Sequence, residues 1–554
     1  MNESIGLNTL ALYTVGSAAL FMAVQKAKAR VELSLAKHRS LAGHPRTARR
    51  VAALLPSYAY DEAQAFAVDG APADVVERRK AAFAAMVVQF QQRFPKSLRA
   101  SSEAAEMLSD LQFVSAYRLP FQFRKLAAKG LKVASFVQSS AGVTVTDLDG
   151  NTFYDLTGSY GVNLFGNDFY KDCIERGSDM VSDLGPVLGA YHPVMLDNVQ
   201  RLRAISGMEE MSFHMSGTEA VMQAVRLARY HTGRSKLVRF CGSYHGWWGD
   251  VQPGIGNPVP ARDTFTLSEM SDATLRVLRK RKDIACILIN PLQALHPNMA
   301  APSDGSLLDS SRKAHFDRPA YTAWLKTLRE ICDERGIALI FDEVFMGFRL
   351  AKGGAQEYFG VRADLVTYGK TLGGGLPIGV LCGKRDWMRR FRDDSPADIC
   401  FARGTFNSHP YVMGAMNAFL RRIEDKDIVD LYANVEETWN ARAQSLNQRL
   451  KAAGIPVQVA NMSSVWTVTY TQPACFNWLF QHYMRLEGLA LSWVGTGRII
   501  FSLNYTEQDF EQVTERFVKA GLAMQADGWW WQGSAVTNKT IKRRILREML
   551  AVKF

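Results

Sequence analysis

Between about residues 200 and 400, short apolar segments alternate with stretches whose apolar positions recur at helical spacing. The segments Leu237 to Phe240, Ala285 to Ile289, Ala338 to Phe341 and Leu365 to Tyr368 read as strands. Their alternation with helices predicts βαβ units and a mostly parallel sheet. Upstream, Val143-Thr144-Val145-Thr146 and Thr152 to Asp155 flank an Asp149-Gly150 turn, which predicts a hairpin. Beyond about residue 410, long helices mix with the strands Val465 to Tyr470 and Arg498 to Ser502, a pattern that predicts a second α+β unit. Residues 26–130 read as helical and basic. Ala73 to Phe94 is rich in good helix formers, and Pro95 stops it. No internal repeat is visible.

The two ends carry a different pattern. Ser4 to Gln25 holds no charge and includes Leu7, Leu10, Leu12, Val15, Leu20, Phe21, Met22 and Val24. That length just suffices for a bilayer, which takes about 20 residues. No basic segment precedes the run, so it does not read as a cleaved signal peptide. Lys26, Lys28, Arg30, Lys37 and Arg39 follow it. The expectation is a membrane anchor that leaves the catalytic part in the cytoplasm. The other outcome is an apolar helix packed on the protein. At the far end, Trp529, Trp530 and Trp531 precede a helix with Ile541, Ile545, Met549 and Val552 opposite Lys542, Arg543, Arg544 and Arg547. Such a tail suits a membrane surface, or it docks on the protein with its indoles in a hydrophobic contact.

The 554 residues exceed the roughly 250–300 at which one core stops growing, so more than one packing unit is expected. Hydrophobic residues make up 47% and charged ones 22%, which excludes a long disordered chain. The net charge of +12 is concentrated near the two ends. Without a zinc-finger spacing or an aromatic-basic RNA signature, no nucleic-acid partner is expected. The seven cysteines are scattered with no C-x-x-C, as in a reducing compartment.

Four segments sit where strands give way to loops, which is where open α/β sheets gather their chemistry. His214-Met215-Ser216-Gly217-Thr218-Glu219-Ala220 leads into a helix. A glycine between hydroxyls at a helix start makes an anion site, or only a cap. Phe240-Cys241-Gly242-Ser243-Tyr244-His245-Gly246 follows a strand, and Tyr244 is placed to cover a planar heterocycle. Leu339-Ile340-Phe341-Asp342-Glu343-Val344 ends a strand on a carboxylate that would keep a facing pyridine nitrogen protonated. Asp342 continues the strand and is preferred to Glu343. In Thr367-Tyr368-Gly369-Lys370-Thr371-Leu372-Gly373-Gly374-Gly375, a lysine at a strand end is poised for desolvation, which makes an amine nucleophilic. No Walker pattern supports the alternative of a phosphate-binding lysine.

In this order the segments resemble the class III aminotransferases, nearest the glutamate-1-semialdehyde aminomutase branch. The matching stretches are SGTEA at 216–220, YHG at 244–246, FDEVFMGFRL at 341–350, GGAQEYFGV at 353–361, GKTLGGGLPIG at 369–379 and GTFNSHP at 404–410. The resemblance spans about 130–525. It implies a pyridoxal 5′-phosphate (PLP) enzyme of fold type I. A large domain with a mostly parallel sheet and a smaller α+β domain would carry an added helical N-terminal region and work as a homodimer. The division it suggests is a candidate transmembrane anchor (1–25), a helical basic region (26–130), the N-terminal part of the small domain (131–195), a large PLP-binding domain (196–400), the C-terminal small domain (401–527) and a Trp-rich basic amphipathic tail (528–554).

By the same resemblance, Lys370 would hold PLP as a Schiff base and Asp342 would pair with its pyridine nitrogen. Val344 and Tyr244 would cover the ring faces, with His245 beside them. Ser216, Gly217 and Thr218 would bind the phosphate, and Thr405 would reach the phosphate of the neighbouring subunit. Gln293 would contact the hydroxyl side of the ring. Asn290 stands where many relatives have glutamate, and His409 where many have asparagine, so substrate specificity does not carry over. No metal site is expected.

The function expected is a transaminase moving an amino group from an amino acid donor to an aldehyde or ketone. The candidate anchor suggests a hydrophobic or carrier-bound acyl acceptor. A mutase, racemase or decarboxylase would use the same Lys370 and Asp342, and a non-catalytic membrane scaffold is the remote alternative. Arg498 and Arg349 are candidates for a substrate carboxylate or for structural ion pairs.

Overall fold

The computed structural model describes residues 2–38, 41, 44–117, 119–131, 136–252, 256–257, 259, 261–298, 308–491 and 497–553. Its first sheet is the predicted hairpin region. Strands β1 (Val137–Ala141), β2 (Thr144–Asp147) and β3 (Thr152–Asp155) pair antiparallel. Asp147 Oδ1 closes the β2–β3 turn by accepting from the backbone N–H groups of Asp149 and Asn151, both at 2.9 Å.

The central sheet has seven strands: β4 (Glu210–His214), β5 (Lys236–Phe240), β6 (Thr264–Leu267), β7 (Ile284–Ile289), β8 (Ala338–Asp342), β9 (Leu365–Gly369) and β10 (Gly379–Gly383). They lie in the order β4-β10-β9-β8-β7-β5-β6. The pairs β5–β6, β5–β7, β7–β8 and β8–β9 are parallel, and only β10 runs against its neighbours. Every residue of β7, β8, β9 and β10 is buried. That burial explains why these segments are so apolar: helices cover both faces of a parallel sheet.

The C-terminal part adds β11 (Val457–Met462), β12 (Val465–Tyr470), β13 (Leu489–Ala490) and β14 (Arg498–Ile500). β11, β12 and β14 form an antiparallel sheet, whereas β13 joins β3 in parallel. The two small sheets, distant in sequence, are thus tied together. Backbone bonds from Ile500 N–H to Leu156 C=O and from Leu503 N–H to Leu164 C=O reinforce the junction.

The N-terminal end departs from the anchor reading, and the tail follows the docked one. Among the described residues no helix is long and apolar enough to cross a membrane. The side chains of residues 2–16, including the first half of the expected anchor, lie outside the described residues. The helix does not end at residue 25 but runs from Asn2 to Ala36, through Lys26, Lys28, Arg30 and Glu32. Its end is fastened to the protein: Glu32 pairs with Lys280 at 2.6 Å, and the Ala36 carbonyl accepts from Ser268 N–H at 2.8 Å. Asn8, Thr9, Thr14 and Ser17 in the apolar run dilute it.

The tail is likewise docked through its tryptophans and one face of its helix. Trp529 and Trp530 are buried. Their indole N–H groups donate to Tyr483 Oη at 2.7 Å and Asn477 Oδ1 at 3.0 Å, which satisfies the polar handle that a buried indole carries. The helix Asn538–Lys553 then packs on the N-terminal region, where Tyr58 and Tyr60 both donate to Glu548 Oε2, at 2.7 and 2.8 Å. Arg79 completes the joint. Its fully buried guanidinium pairs with Asp69 at 2.7 Å and donates to the carbonyls of Phe66 and Gly528.

β8 ends on Asp342, and Glu343 follows it with a different set of partners. Glu343 accepts from Ala355 N–H at 2.6 Å at the start of the helix Gly354–Phe359. Burial is the main cause that pushes its carboxyl from 4.5 up to about 8.

Two outcomes follow. Trp529→Ala removes a fully buried indole packed on Phe476 with ring centroids 5.0 Å apart, and is expected to cost about 3–5 kcal/mol. Chemical denaturation should show an earlier midpoint, and an unchanged midpoint would mean the tail is not docked in solution. For Glu343, folded and unfolded chains both hold the proton below pH 4.5. Between there and about 8 only the unfolded chain ionises, so stability falls as pH rises through that window. Glu343→Gln should flatten part of this slope and raise the thermal midpoint more at pH 8 than at pH 5.

Candidate active site

A cleft of about 450 Å³ opens beyond the carboxyl ends of the parallel strands. Each wall comes from a turn that the sequence singled out. Asp342 is the last residue of β8 and Lys370 the first beyond β9. The β8–β9 register sets Asp342 opposite Thr367, so carboxylate and amine reach the cleft from adjacent strands. Ser216 to Thr218, at the start of the helix Gly217–Thr232, form one wall, and Tyr244 to Gly246 form the next.

The helix start is a backbone cradle. Ser216 caps it by accepting from Glu219 N–H at 3.3 Å, and the first-turn N–H groups of Gly217 and Thr218 have no intrahelical partners. Two glycines allow the close approach. A Cβ on Gly217 would stand 2.5 Å from Val344 Cγ1, and one on Gly246, whose φ is +90°, would stand 2.4 Å from Thr218 Oγ1. Only hydrogen at these two positions lets the helix start, Val344 and the Tyr244 loop close on one another.

Asp342 is buried and fully oriented. Oδ2 lies 2.7 Å from His245 Nδ1, and Oδ1 accepts from Val344 N–H at 3.2 Å and Thr367 Oγ1 at 3.3 Å. Burial outweighs the nearby carboxylate and lowers the His245 pKa, so the imidazole is neutral and donates Nδ1–H to Asp342. Its buried Nε2 has no protein partner. Lys370 faces the cleft with a left-handed backbone, φ 46°, and its Nζ lies 5.5 Å from the centre of the Phe345 ring. Desolvation lowers its pKa and Asp342 opposes the shift, so the side chain is drawn toward the free amine.

Eight of the ten expected positions line this one cleft within this chain: Ser216, Gly217, Thr218, Tyr244, His245, Asp342, Val344 and Lys370, with His245 Nδ1 committed to Asp342. Gln293 does not line it. Its amide is turned to the Cys241 carbonyl, to which Nε2 donates at 2.9 Å. Thr405 lies in a separate cleft with Tyr191 and Arg403. Asn290 lines the site but spends its side chain on Tyr244 C=O and Leu292 N–H. Neither arginine forms an ion pair among the described residues. Arg349 donates to Ser464 Oγ and Phe501 C=O, both at 2.7 Å, and acts within the fold. Arg498 lines the cleft, and its buried Nε has no partner.

The donor set fits PLP. An anion cradle, a buried and hydrogen-bonded carboxyl group, a desolvated amine and Tyr244, 61% exposed at the cleft, match its phosphate, pyridine nitrogen, aldehyde and ring face.

The aminotransferase class-III family model matches residues 126–253 and 260–520. The chain is 32% identical over 354 residues to a glutamate-1-semialdehyde 2,1-aminomutase of Methanococcus maripaludis (strain C5), covering 61% of this chain and 76% of that one. It is 34% identical over 339 residues to the same-named protein of Nitratidesulfovibrio vulgaris (strain DP4), covering 61% and 77%. A solved transaminase with PLP bound shares 26% identity at a TM-score of 0.59, over 72% of this chain and 92% of that one. A glutamate-1-semialdehyde aminomutase from Pseudomonas aeruginosa PAO1, 18% identical with a TM-score of 0.64 over 82% and 99%, is alike in fold. The chain belongs to the class-III aminotransferase family of PLP-dependent, fold-type I enzymes.

Proposed function

We propose that the protein is a transaminase that moves an amino group from an amino acid donor to an aldehyde or ketone acceptor. The observation that carries this reading is the placement of Lys370 and Asp342 on adjacent strand ends, in one cleft with the Ser216–Thr218 cradle. Bound PLP supplies the electron sink for carbanion chemistry. Ser216, Gly217 and Thr218 hold the phosphate by hydroxyl and helix-start N–H groups. Asp342, fixed by His245, Val344 N–H and Thr367, keeps the pyridine nitrogen protonated. Val344 and Tyr244 hold the ring between them. Lys370 Nζ, lowered in pKa by burial, would be the amine that holds the cofactor's aldehyde group and the base able to move a proton in the cleft. His245 is a positioning residue because it acts through Asp342.

A homodimer is part of the same reading. Thr405 sits among exposed apolar side chains, with Phe391 53%, Ile399 56% and Phe401 66% exposed around one cleft. A patch of that kind marks a contact surface, from which Thr405 is to reach the neighbour's phosphate. The apolar or carrier-bound acceptor rested on the membrane anchor and loses its support with it.

The aminomutase names of the 32–34% identical relatives favour a second reading, in which amino group and carbonyl exchange within one molecule. The two differ in a half-reaction. Added to the holoenzyme alone, an amino acid donor should bleach the visible cofactor band and release one equivalent of its 2-oxo acid if the protein is a transaminase. Lys370→Ala should lower turnover roughly 100- to 10,000-fold. A band that no amino acid bleaches would favour the mutase, and a protein that forms no band with PLP would sink both.

A further inference from the structure

Among the described residues, two poorly compensated buried charges lie beside this cleft. Arg498 lines it, and Arg498 Nη2 lies 3.4 Å from His296 Nε2. Arg312 is 6% exposed, and Nε, Nη1 and Nη2 all lack a hydrogen-bond partner. Arg498 Nε and His296 Nδ1 are buried and unpartnered as well. The charges of Arg312 and Arg498 act on each other, and both act on His296.

Nothing among the described residues neutralises them. The nearest carboxylate in sequence, Asp309, is engaged elsewhere: Oδ1 takes the N–H and Oγ–H of Ser311, and Oδ2 pairs with Lys542 at 3.2 Å. Burial lowers Arg312 to about 9 and Arg498 to about 10, so both remain charged at neutral pH. Burial and the two guanidinium groups push His296 well down, so it is neutral. With Nε2 accepting from Arg498, its proton is on Nδ1, one more unpaired donor. A buried cation without an acceptor is strongly unfavourable. Arg79, Arg349 and Arg442 in the same protein each have oxygen partners.

We infer that Arg312, Arg498 and His296 form an anion site at the end of the cleft, which takes the acidic end of a substrate remote from the reacting carbon. Two buried guanidinium groups together offer more N–H donors than one carboxylate needs, and planar N–H forks suit carboxylate and phosphate oxygens alike. The substrate class is therefore an acidic amino acid or 2-oxo acid with a second carboxylate, or a phosphorylated counterpart. The inference rests on the transaminase reading for the identity of the cleft as a substrate site. Arg312 lies within the residues that the family model matches but outside the short motifs 341–350, 353–361 and 369–379 that carry the resemblance.

The test is thermal unfolding and calorimetry of the PLP-loaded enzyme with glutarate, inorganic phosphate or butyrate. Glutarate or phosphate should raise the midpoint with concentration, and butyrate should not. Glutarate alone acting would assign a dicarboxylate, and phosphate alone a phosphorylated substrate. Arg312→Met should weaken that anion about 10- to 100-fold. In anion-free buffer it should leave the midpoint unchanged or higher, because an uncompensated charge is gone. A merely structural Arg312 would give a lower midpoint with the anion effect intact, and that outcome overturns the inference. So does a wild-type midpoint that responds to none of the three, whether or not Arg312→Met folds. Bleaching of the cofactor band by amines without any anion effect would leave the transaminase standing and the anion site refuted. Anion binding without bleaching would do the reverse.

Discussion

Asp342 and Lys370 reach the cleft from neighbouring parallel strands, and the pairing of β8 with β9 keeps an acid and an amine at a fixed spacing in a desolvated place. Neither group could hold its position alone. Asp342 is held in place by three donors, and they come from three different elements: the His245 loop, the Val344 backbone and Thr367 on β9. Lys370 needs the left-handed backbone at the end of β9 to turn its side chain back toward Asp342. The single antiparallel strand, β10, matters here. It lies between β9 and β4, and so brings the Ser216–Thr218 turn at the end of β4 to the same edge as Lys370.

The added ends serve a second constraint. The helical N-terminal region and the tail bury each other's polar anchors instead of standing apart. Arg79 joins Asp69 and Phe66 of the first to Gly528 of the second, and Glu548 receives both Tyr58 and Tyr60. Phe123 packs on Phe476 and Trp478 with ring centroids 5.6 and 5.2 Å apart, which carries the contact into the C-terminal part. The N-terminal segment lies outside the residues that match the family, yet it is continuous with the core that carries β12 and the tail.

The βαβ pattern and the Asp342–Lys370 pair were legible because each has a local cause. Its place in the strand separates Asp342 from Glu343, and the structure gives the two different partners. The role of the tail was not legible. Three tryptophans beside a basic amphipathic helix meet a lipid headgroup layer or a buried pocket with the same composition. Only the distant partners Tyr483 and Asn477 decide between them. Gln293 follows β7 in the expected position, and its amide donates to the Cys241 carbonyl, a contact that no local spacing announces. Arg312 could not be read at all, since its meaning lies in the absence of a partner, which no spacing records.

The buried arginines show how that absence becomes informative. Arg79 meets a carboxylate, Arg349 meets a carbonyl and a hydroxyl, and Arg239 donates to the Ser243 carbonyl beneath the Tyr244 loop. Each exchanges water for protein oxygen, so its burial is offset by the fold itself. Arg312 exchanges water for no protein oxygen among the described residues, and Arg498, which lines the active-site cleft, has only His296 as a hydrogen-bond partner. Repulsion between them adds to the desolvation cost. A fold keeps such a pair where the offsetting charge arrives from outside, which makes the stability lost in the free enzyme the source of selectivity for an anionic substrate.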